Sequence, residues 1–462
     1  MGRFSAVLQF SFLHGNECKR QIWNRWQIYL IFYFHNPIFE KILYTFVELY
    51  HYYNILMAMN TNFLLSSDNN NRNELLKKKI IHYYIANGDA TIADLGREMD
   101  LSIPTVTKLV AELQDDGYIL DFGKQETSGG RKPNIYGLNP ASGYFVGVDM
   151  LKDKLNIAAI DFKGDKVLLE ENIPYRLENT PAALEQLCKI IDDFITSFPV
   201  ERNKILAIGV NISGRVNPVS GYSYSIFYFD EKPLAQLLEE RLQTKVFIEN
   251  DSRAMTYGEY MKGAVQGEKD ILFVNMTWGL GLGIIIDGNL YYGKSGFSGE
   301  FGHFCMFENE VLCHCGKKGC LETEASGSAF HRILVERYRK GSNTILAQKL
   351  DSGEEISLGD LLEAVRKEDV LCIDILEKMG VNLGKSIAGL MNIFNPELVI
   401  LGGTLSLAGE YINLPIKSAI RKYSLNLVNQ DTEIKISKLG ERAGALGACL
   451  LSRSKLLGMI HY

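Results

Sequence analysis

The sequence predicts an α/β chain in which a small winged helix-turn-helix precedes a much larger α/β unit. Between residues 74 and 138, three short helical patterns run into two strand patterns joined by a polar, glycine-containing segment. From residue 144 the period switches to strands that alternate with helices, the pattern of a largely parallel sheet. Composition allows both parts: with 462 residues, 46% apolar and 23% charged, the chain is long enough for about three domains with large cores. The expected divisions are 1–58 (an aromatic-rich extension), 59–72 (a linker), 73–140 (the winged helix) and 141–462 (the α/β unit).

Residues 1–58 hold 15 aromatics without a sustained helical or strand period. Their longest apolar run, "IYLIFYF" (28–34), is followed by His35, Asn36 and Pro37 and is far shorter than the roughly 20 residues of a membrane span. No membrane partner is expected. Met57 and Met59 precede a polar stretch that reads as a flexible start, so residues 1–56 are expected to be an over-extension of the reading frame. The net charge of −6 gives no global attraction to nucleic acid, and any DNA contact has to come from a local basic patch. Eight cysteines are too sparse for a secreted disulfide scaffold, and no signal-peptide pattern is present. A reducing cytoplasm is expected.

The first helix is read from "ELLKKKIIHYYIANG", which sets Leu75, Leu76, Ile80, Tyr83 and Tyr84 on one face with Gly88 as its stop. The second is "TIADLGREM" (91–99), capped by Thr91, with Ile92, Leu95 and Met99 as its apolar side. The third lies in "IPTVTKLVAELQDDG" (103–117): Ser102 caps it, Pro104 suits its first turn, and Val106, Leu109, Val110 and Leu113 face inward. "YILDF" (118–122) and "NIYGL" (134–138) are the strands of a hairpin around "GKQETSGGRKP". Order and spacing match a winged helix-turn-helix; a plain three-helix cap is the alternative. Ser102, Pro104, Thr105, Thr107 and Lys108 then sit outward at the start of the third helix, small or hydrogen-bonding groups that suit a DNA major groove. At the wing tip Gly129 and Gly130 let the backbone approach DNA, and Arg131 and Lys132 supply charge, Arg131 for a narrow minor groove. Residues 73–140 carry eight Lys/Arg against ten Asp/Glu, but Glu112, Asp115 and Asp116 cluster at the far end of the third helix.

The α/β unit opens with a meander of "YFVGVDM", "LNIAAIDFKG" and "KVLLEENIPY". "ILAIGVNISGRV" (205–216), "KVFIEND" (245–251) and "DILFVNMTWGLGLGIIIDG" (270–288) follow, with helices between them. A helix around 382–393, the strand "ELVILGG" (397–403) and a final helix around 442–457 complete it. Four stretches make residues 144–462 resemble the ROK family of repressors and sugar kinases: "GVDMLKDKLNIAAIDFKG", "VFIEND", "GLGLGIIIDGNLYYGKSGFSGEFGH" and "CHCGKKGCLE". The winged helix in front is placed as in the family's transcriptional-regulator branch. The resemblance implies a two-lobed actin-like (ribonuclease H-like) fold for 141–462, with a sugar-sensing role and lobes that assemble as a homodimer or homotetramer.

Cys313-x-Cys315-x4-Cys320, with His303 ten residues before the first cysteine, is a Cys3His set suited to tetrahedral zinc. Gly316 and Gly319 let the chain fold back so that the thiolates converge. A disulfide is disfavoured in a reducing compartment, and a catalytic thiol needs one reactive cysteine with a partner base. The family resemblance places a structural metal on these four residues and leaves Cys305 and His314 outside the set. Four protein ligands leave no open position, so the expected zinc is structural.

The same resemblance implies that Asn250, Asp251, Glu300, His303 and Glu322 bind sugar hydroxyls, which carboxylates and amides meet in pairs. His303 would hold zinc with one ring nitrogen and sugar with the other. Read alone, Asn250 and Asp251 are also a helix N-cap. One departure is "SYSIFYFDEKPL", where Tyr228 and Phe229 stand near a position that is often asparagine in the family. A ROK kinase needs Asp251 as base and two glycine-rich phosphate loops. "TWGLGLG" (277–283) keeps its glycines, with Trp278 in place of a small residue. The other loop, Asp-x-Gly-Gly-Thr in kinases of this fold, is here "DMLKDKL" (Asp149 to Leu155), with Met150 and Leu151 where a triphosphate needs bare backbone. Lys152 and Lys154 read as solvated surface charges. The expectation is therefore a sugar-responsive transcriptional regulator, a repressor whose partners are operator DNA and a small sugar or sugar phosphate. The alternative is an ATP-dependent sugar kinase with an accessory DNA-binding domain; a third reading is a DNA-binding protein without a ligand.

Overall fold

The computed structural model describes Leu64, residues 72–124 and residues 133–460. Residues 71–462 form one compact unit. The expected extension at 1–58 lies outside the described residues, as does the linker apart from Leu64 and Arg72.

Helices α1 (Arg72–Asn87), α2 (Ile92–Glu98) and α3 (Ile103–Asp115) form the head of this unit. With them goes a sheet in which β1 (Ala90–Thr91) and β2 (Ile119–Lys124) both pair antiparallel with β3 (Asn134–Leu138). Thr91 closes a capping box with Asp94, and the Ser102 side chain accepts from Thr105 N with Pro104 in the first turn. Val106, Leu109, Val110 and Leu113 are buried, as their spacing predicts. On α1 the buried residues are Ile80, Ile81 and Tyr84, whereas Leu75 is 42% exposed. At 3.6 residues per turn Leu75 lies about 140° from Ile80 and about 120° from Ile81, off the inward stripe.

The first lobe begins with the predicted meander, β4 (Tyr144–Met150), β5 (Lys154–Asp161) and β6 (Lys166–Pro174), followed by α4 (Pro181–Ser197) and β7 (Ile205–Ile212). A short hairpin, β8 (Val216–Asn217) and β9 (Tyr222–Ser223), then leads through α5 (Leu234–Leu242) to β10 (Val246–Asn250). The sheet order is β10-β7-β4-β5-β6, parallel among β10, β7 and β4 and antiparallel in the meander. After α6 (Asp251–Lys262), the second lobe starts with β11 (Ile271–Met276), β12 (Leu280–Ile286) and β13 (Asn289–Leu290). Its helices are α7 (Glu322–Ala325), α8 (Gly327–Arg339), α9 (Ala347–Ser352), α10 (Leu358–Arg366) and α11 (Val370–Phe394). Then come β14 (Leu398–Gly402), α12 (Glu410–Tyr423), α13 (Asn426–Asp431), β15 (Glu433–Ile436) and α14 (Ala443–Leu456). The second sheet runs β13-β12-β11-β14-β15, antiparallel through its first three strands and parallel through the rest. Both sheets are mixed, not largely parallel, because strands joined by turns as short as 151–153 and 277–279 can only run antiparallel.

Each lobe has its own core, around Leu187, Ile191, Val210 and Ile248 in the first and Leu282, Phe330, Leu383 and Val399 in the second. Helix α14 is buried along nearly its whole length against α6 and β4. A Cβ at Gly447 would stand 1.9 Å from Ala254 O, and one at Gly147 2.1 Å from Ala445 O, so glycine alone permits this approach. The head meets the lobe and the end of α14 through His82 Nε2, 2.8 Å from Leu457 O, and Asp89, 3.4 Å from Lys163 Nζ. Among the described residues no helix is long and apolar enough to cross a membrane.

Candidate effector cleft, metal cluster and DNA-facing helix

Between the lobes lies a cleft of about 1000 Å³, and all five residues expected to bind sugar line it: Asn250, Asp251, Glu300, His303 and Glu322. Asn250 ends β10 and caps α6, with Oδ1 accepting from Arg253 N at 3.1 Å. Its Nδ2 donates to Gly214 O at 3.0 Å and to Asp251 Oδ1 at 3.1 Å. The cap reading therefore holds, and this amide positions the turn that presents Asp251. Asp251 Oδ1 accepts from Ser252 N at 2.7 Å and Ser252 Oγ at 3.2 Å, while burial raises its carboxyl above the usual range. Behind it Asp149 is 1% exposed, and its Oδ2 has no hydrogen-bond partner among the described residues. Burial, and then the charge of Asp251, push the Asp149 carboxyl up to about 7.

Gly299 has φ +84°, and a Cβ there would lie 2.0 Å from Leu282 O, so this turn into Glu300 requires glycine. Glu300 Oε2 is 3.7 Å from His303 Nε2, while His303 Nδ1 is 3.5 Å from Cys313 Sγ. One imidazole thus serves the cleft on one side and a sulfur cluster on the other. Glu322, at the start of α7, accepts from Leu280 N at 3.0 Å with Oε2, and its Oε1 is 2.9 Å from His314 Nδ1. His314 is a cleft residue that sequence reasoning missed. Its only signal was its place between two cysteines, since the turn there swings it onto Glu322.

The donor atoms of His303, Cys313, Cys315 and Cys320 all lie within 4.8 Å of one another, and Cys315 Sγ is 3.6 Å from Cys320 Sγ. Tetrahedral metal–thiolate bonds of about 2.3 Å place two sulfurs about 3.8 Å apart, and the Cys315–Cys320 separation of 3.6 Å is close to that edge. Gly316 (φ +85°) and Gly319 (φ +76°) make the fold-back that the sequence predicts. Burial pushes the Cys313 thiol up to about 12, so its thiolate is favourable only beside a cation. The residues fit a metal. Cys305 is exposed, with Sγ 3.6 Å from Lys318 O, and stays outside the set; His303 also belongs to a second candidate group with His314 and Glu322.

On the head, Ser102, Pro104, Thr105, Thr107 and Lys108 are exposed at the start of α3. Thr107 Oγ1 donates back to Ile103 O at 2.8 Å. Lys77 on α1 pairs with Glu112 at 3.1 Å and Asp116 at 3.0 Å, offsetting one of the three carboxylate charges at the far end of α3. Gly129, Gly130, Arg131 and Lys132 lie outside the described residues.

The "DMLKDKL" stretch forms the β4–β5 turn, with Met150 and Leu151 lining the cleft. Its lysines are not simple solvated charges. Lys152 pairs with Glu355 at 2.7 Å, and Lys154 lies 2.6 Å from Asn172 Oδ1 and 3.6 Å from Glu441. Tyr228 and Phe229, 60% and 40% exposed, are not among the residues that line the cleft.

A helix-turn-helix head joined to a two-lobed cleft domain, with a sulfur cluster at the cleft's rim, is the build of a ligand-sensing regulator of transcription. The chain belongs to the ROK family: residues 145–455 match the ROK family model, and residues 74–119 match a winged helix-turn-helix DNA-binding model. The xylose repressor of Caldicellulosiruptor bescii is 29% identical over 375 residues, covering 80% of this chain and 92% of that one. The DNA-binding transcriptional dual regulator NagC of Escherichia coli K12 is 28% identical over 376 residues, covering 81% and 91%. The crystal structure of a ROK family transcriptional regulator, a homologue of the E. coli MLC protein, matches with a TM-score of 0.70 at 27% identity, covering 83% and 98%.

Metal analysis of the purified protein should return one transition-metal ion per chain, and close to none when Cys313 and Cys315 are both changed to alanine. Full occupancy in that double variant contradicts the cluster.

Asp149 gives stability a pH slope. Its folded-state value near 7 lies above the unfolded value of about 3.9, so the native state binds more protons and stability falls as pH rises through that window. Asp149→Asn removes the loss. Its melting temperature relative to wild type should rise by at least about 3 °C between pH 5 and pH 8; a margin that stays constant contradicts the assignment.

Proposed function

We propose that this chain is a sugar-responsive repressor that holds operator DNA with its winged helix (73–140) and a small sugar or sugar phosphate in the cleft of its ROK domain (141–462). The observation that carries this reading is the convergence of Asn250, Asp251, Glu300, His303 and Glu322 on one cleft whose facing turn lacks the glycines a nucleotide needs. Asn250 is committed to the cap, and Glu322 to Leu280 N and His314, so Asp251, Glu300 and His303 carry most of the hydroxyl recognition.

Zinc is the ion we assign to His303, Cys313, Cys315 and Cys320; with four protein donors it supplies rigidity to the loop, not an open coordination site. His303 spends Nδ1 on the cluster and keeps Nε2, beside Glu300, for the ligand. On DNA, Ser102, Pro104, Thr105, Thr107 and Lys108 face the major groove, and at the wing Gly130 allows close approach, Arg131 enters a narrow minor groove and Lys132 meets phosphate. One winged helix makes few base contacts, so the acting species is a homodimer or homotetramer reading half-sites about 34–36 Å apart or a multiple of that, in the cytoplasm. The kinase alternative draws support from the half-buried Asp251, whose raised carboxyl suits a base, but Met150 and Leu151 occupy the place of a phosphate-gripping backbone.

The test is a fluorescence anisotropy titration of the full chain on operator candidates, with D-xylose and N-acetyl-D-glucosamine as probes. An effective sugar shifts DNA affinity about 5–150-fold. Thr105→Ala changes the preferred sequence, Arg131→Ala weakens binding and relaxes preference, and Lys132→Ala lowers the salt slope by about one unit. ATP consumption stays at background, against about 1–100 s⁻¹ for kinases. Equal binding to every duplex, with Thr105→Ala and Arg131→Ala silent, contradicts the regulator; sugar-dependent ATP turnover that Asp251→Ala abolishes establishes the kinase.

A further inference from the structure

Lys152 stands in the β4–β5 turn of the first lobe, whereas Trp278 in the β11–β12 turn and Glu355 just ahead of α10 belong to the second. All three line the cleft. Lys152 Nζ lies 2.7 Å from Glu355 Oε1 and 4.6 Å from the centre of the Trp278 ring. His331 on α8 packs near the tryptophan, with ring centroids 5.8 Å apart. Burial, and then the Lys152 charge, hold this imidazole below its ordinary range, so at neutral pH it does not compete as a second cation. A further contact between the lobes is the edge-on pair of Tyr224, after β9, and Phe297, whose ring centroids are 5.6 Å apart.

The two turns that hold Lys152 and Trp278 are the ones that depart from the phosphate loops of ROK kinases. The departures are a matched pair: a long cation in one turn seats on the aromatic face of the other. The Lys152 and Glu355 side chains are 54% and 77% exposed, so their ion pair alone contributes little. The tryptophan face shields one side of the ammonium and adds a directional attraction, which makes the triad stronger than an exposed pair.

We propose that Lys152, Trp278 and Glu355 form a latch that joins the two lobes across the cleft, so that a sugar is enclosed by a cation of the chain itself and not by a nucleotide. Lys152 is then a positioning residue that acts through lobe closure. For the ligand the proposal rests on the sugar reading above, but the latch itself can be read without any sugar.

Hydrogen–deuterium exchange of the full chain, followed by mass spectrometry, tests it. In Lys152→Ala, peptides covering residues 353–362 should exchange at least about threefold faster than in wild type, although the substitution lies on the opposite lobe. Lys152→Arg keeps the cation and should restore slow exchange; Trp278→Leu should reproduce the loss. In calorimetric titrations with D-xylose and N-acetyl-D-glucosamine, Lys152→Ala should weaken the sugar that binds by about three- to tenfold. The Lys152→Ala/Trp278→Leu double variant should be little worse than either single one, because both remove the same contact. Unchanged exchange at 353–362 overturns the latch, as do fully additive losses. If neither sugar binds wild type, the sugar reading fails for these probes, and the exchange result still decides the latch.

Discussion

Glu249 sits 2% exposed between two cations, and the cleft depends on it. Its Oε1 accepts from Arg253 Nε at 2.7 Å and its Oε2 from Lys455 Nζ at 2.9 Å. Burial works against the charge, but Arg253 and Lys455 outweigh it and hold the carboxyl down to about 2. Arg253 also donates to Gly296 O at 2.8 Å, in the loop that leads to Glu300, and Lys455 lies 3.3 Å from Ile248 O. One carboxylate therefore fixes the end of β10, the start of α6, the Glu300 loop and the last turn of α14. Removing one member of such a buried group costs about 3–5 kcal/mol, because the others are left charged and dry.

The same neighbourhood links the two halves of the molecule. Helix α14 starts at the cleft floor, where a Cβ at Gly444 would lie 2.1 Å from Asp149 Oδ2 and where Asn211 Nδ2 donates to Gly444 O at 2.8 Å. It ends where Leu457 O meets His82 on α1. The glycine-close packing of α14 on α6 leaves little room for one helix to move without the other. For the repressor proposed above, with its sugar at Asn250 and Asp251, this packing and the His82–Leu457 contact supply the route from the cleft to the DNA-binding head.

What the sequence disclosed and what it withheld divide along physical lines. Helix caps at Thr91 and Ser102, the α3 stripe and the cysteine cluster were legible because each is decided by residues close in sequence. Leu75 was misread because one apolar residue more or less shifts a helical stripe by about 100°. The sheets proved mixed because turn length, not the alternation of elements, sets strand direction. His314 joined the cleft through a turn whose direction no spacing rule gives. Lys152 was taken for a solvated charge because its partner Glu355 lies 203 residues away and only the fold brings them together. The central burial of α14 was equally invisible, since Ser452, Arg453, Ser454 and Lys455 in its last turns read as a solvent-facing end, yet Ser452, Arg453 and Ser454 are buried.

The central claim is that the cleft and the DNA-binding head are energetically linked through α14. Reciprocity tests it most directly: DNA affinity with and without saturating sugar, and sugar affinity with and without saturating operator, on wild type and His82→Ala. Linkage requires that the two factors agree in wild type. The account predicts equal factors well above one, falling toward one in His82→Ala while sugar affinity without DNA is unchanged. Factors of one in wild type, or an undiminished factor in His82→Ala, contradict it.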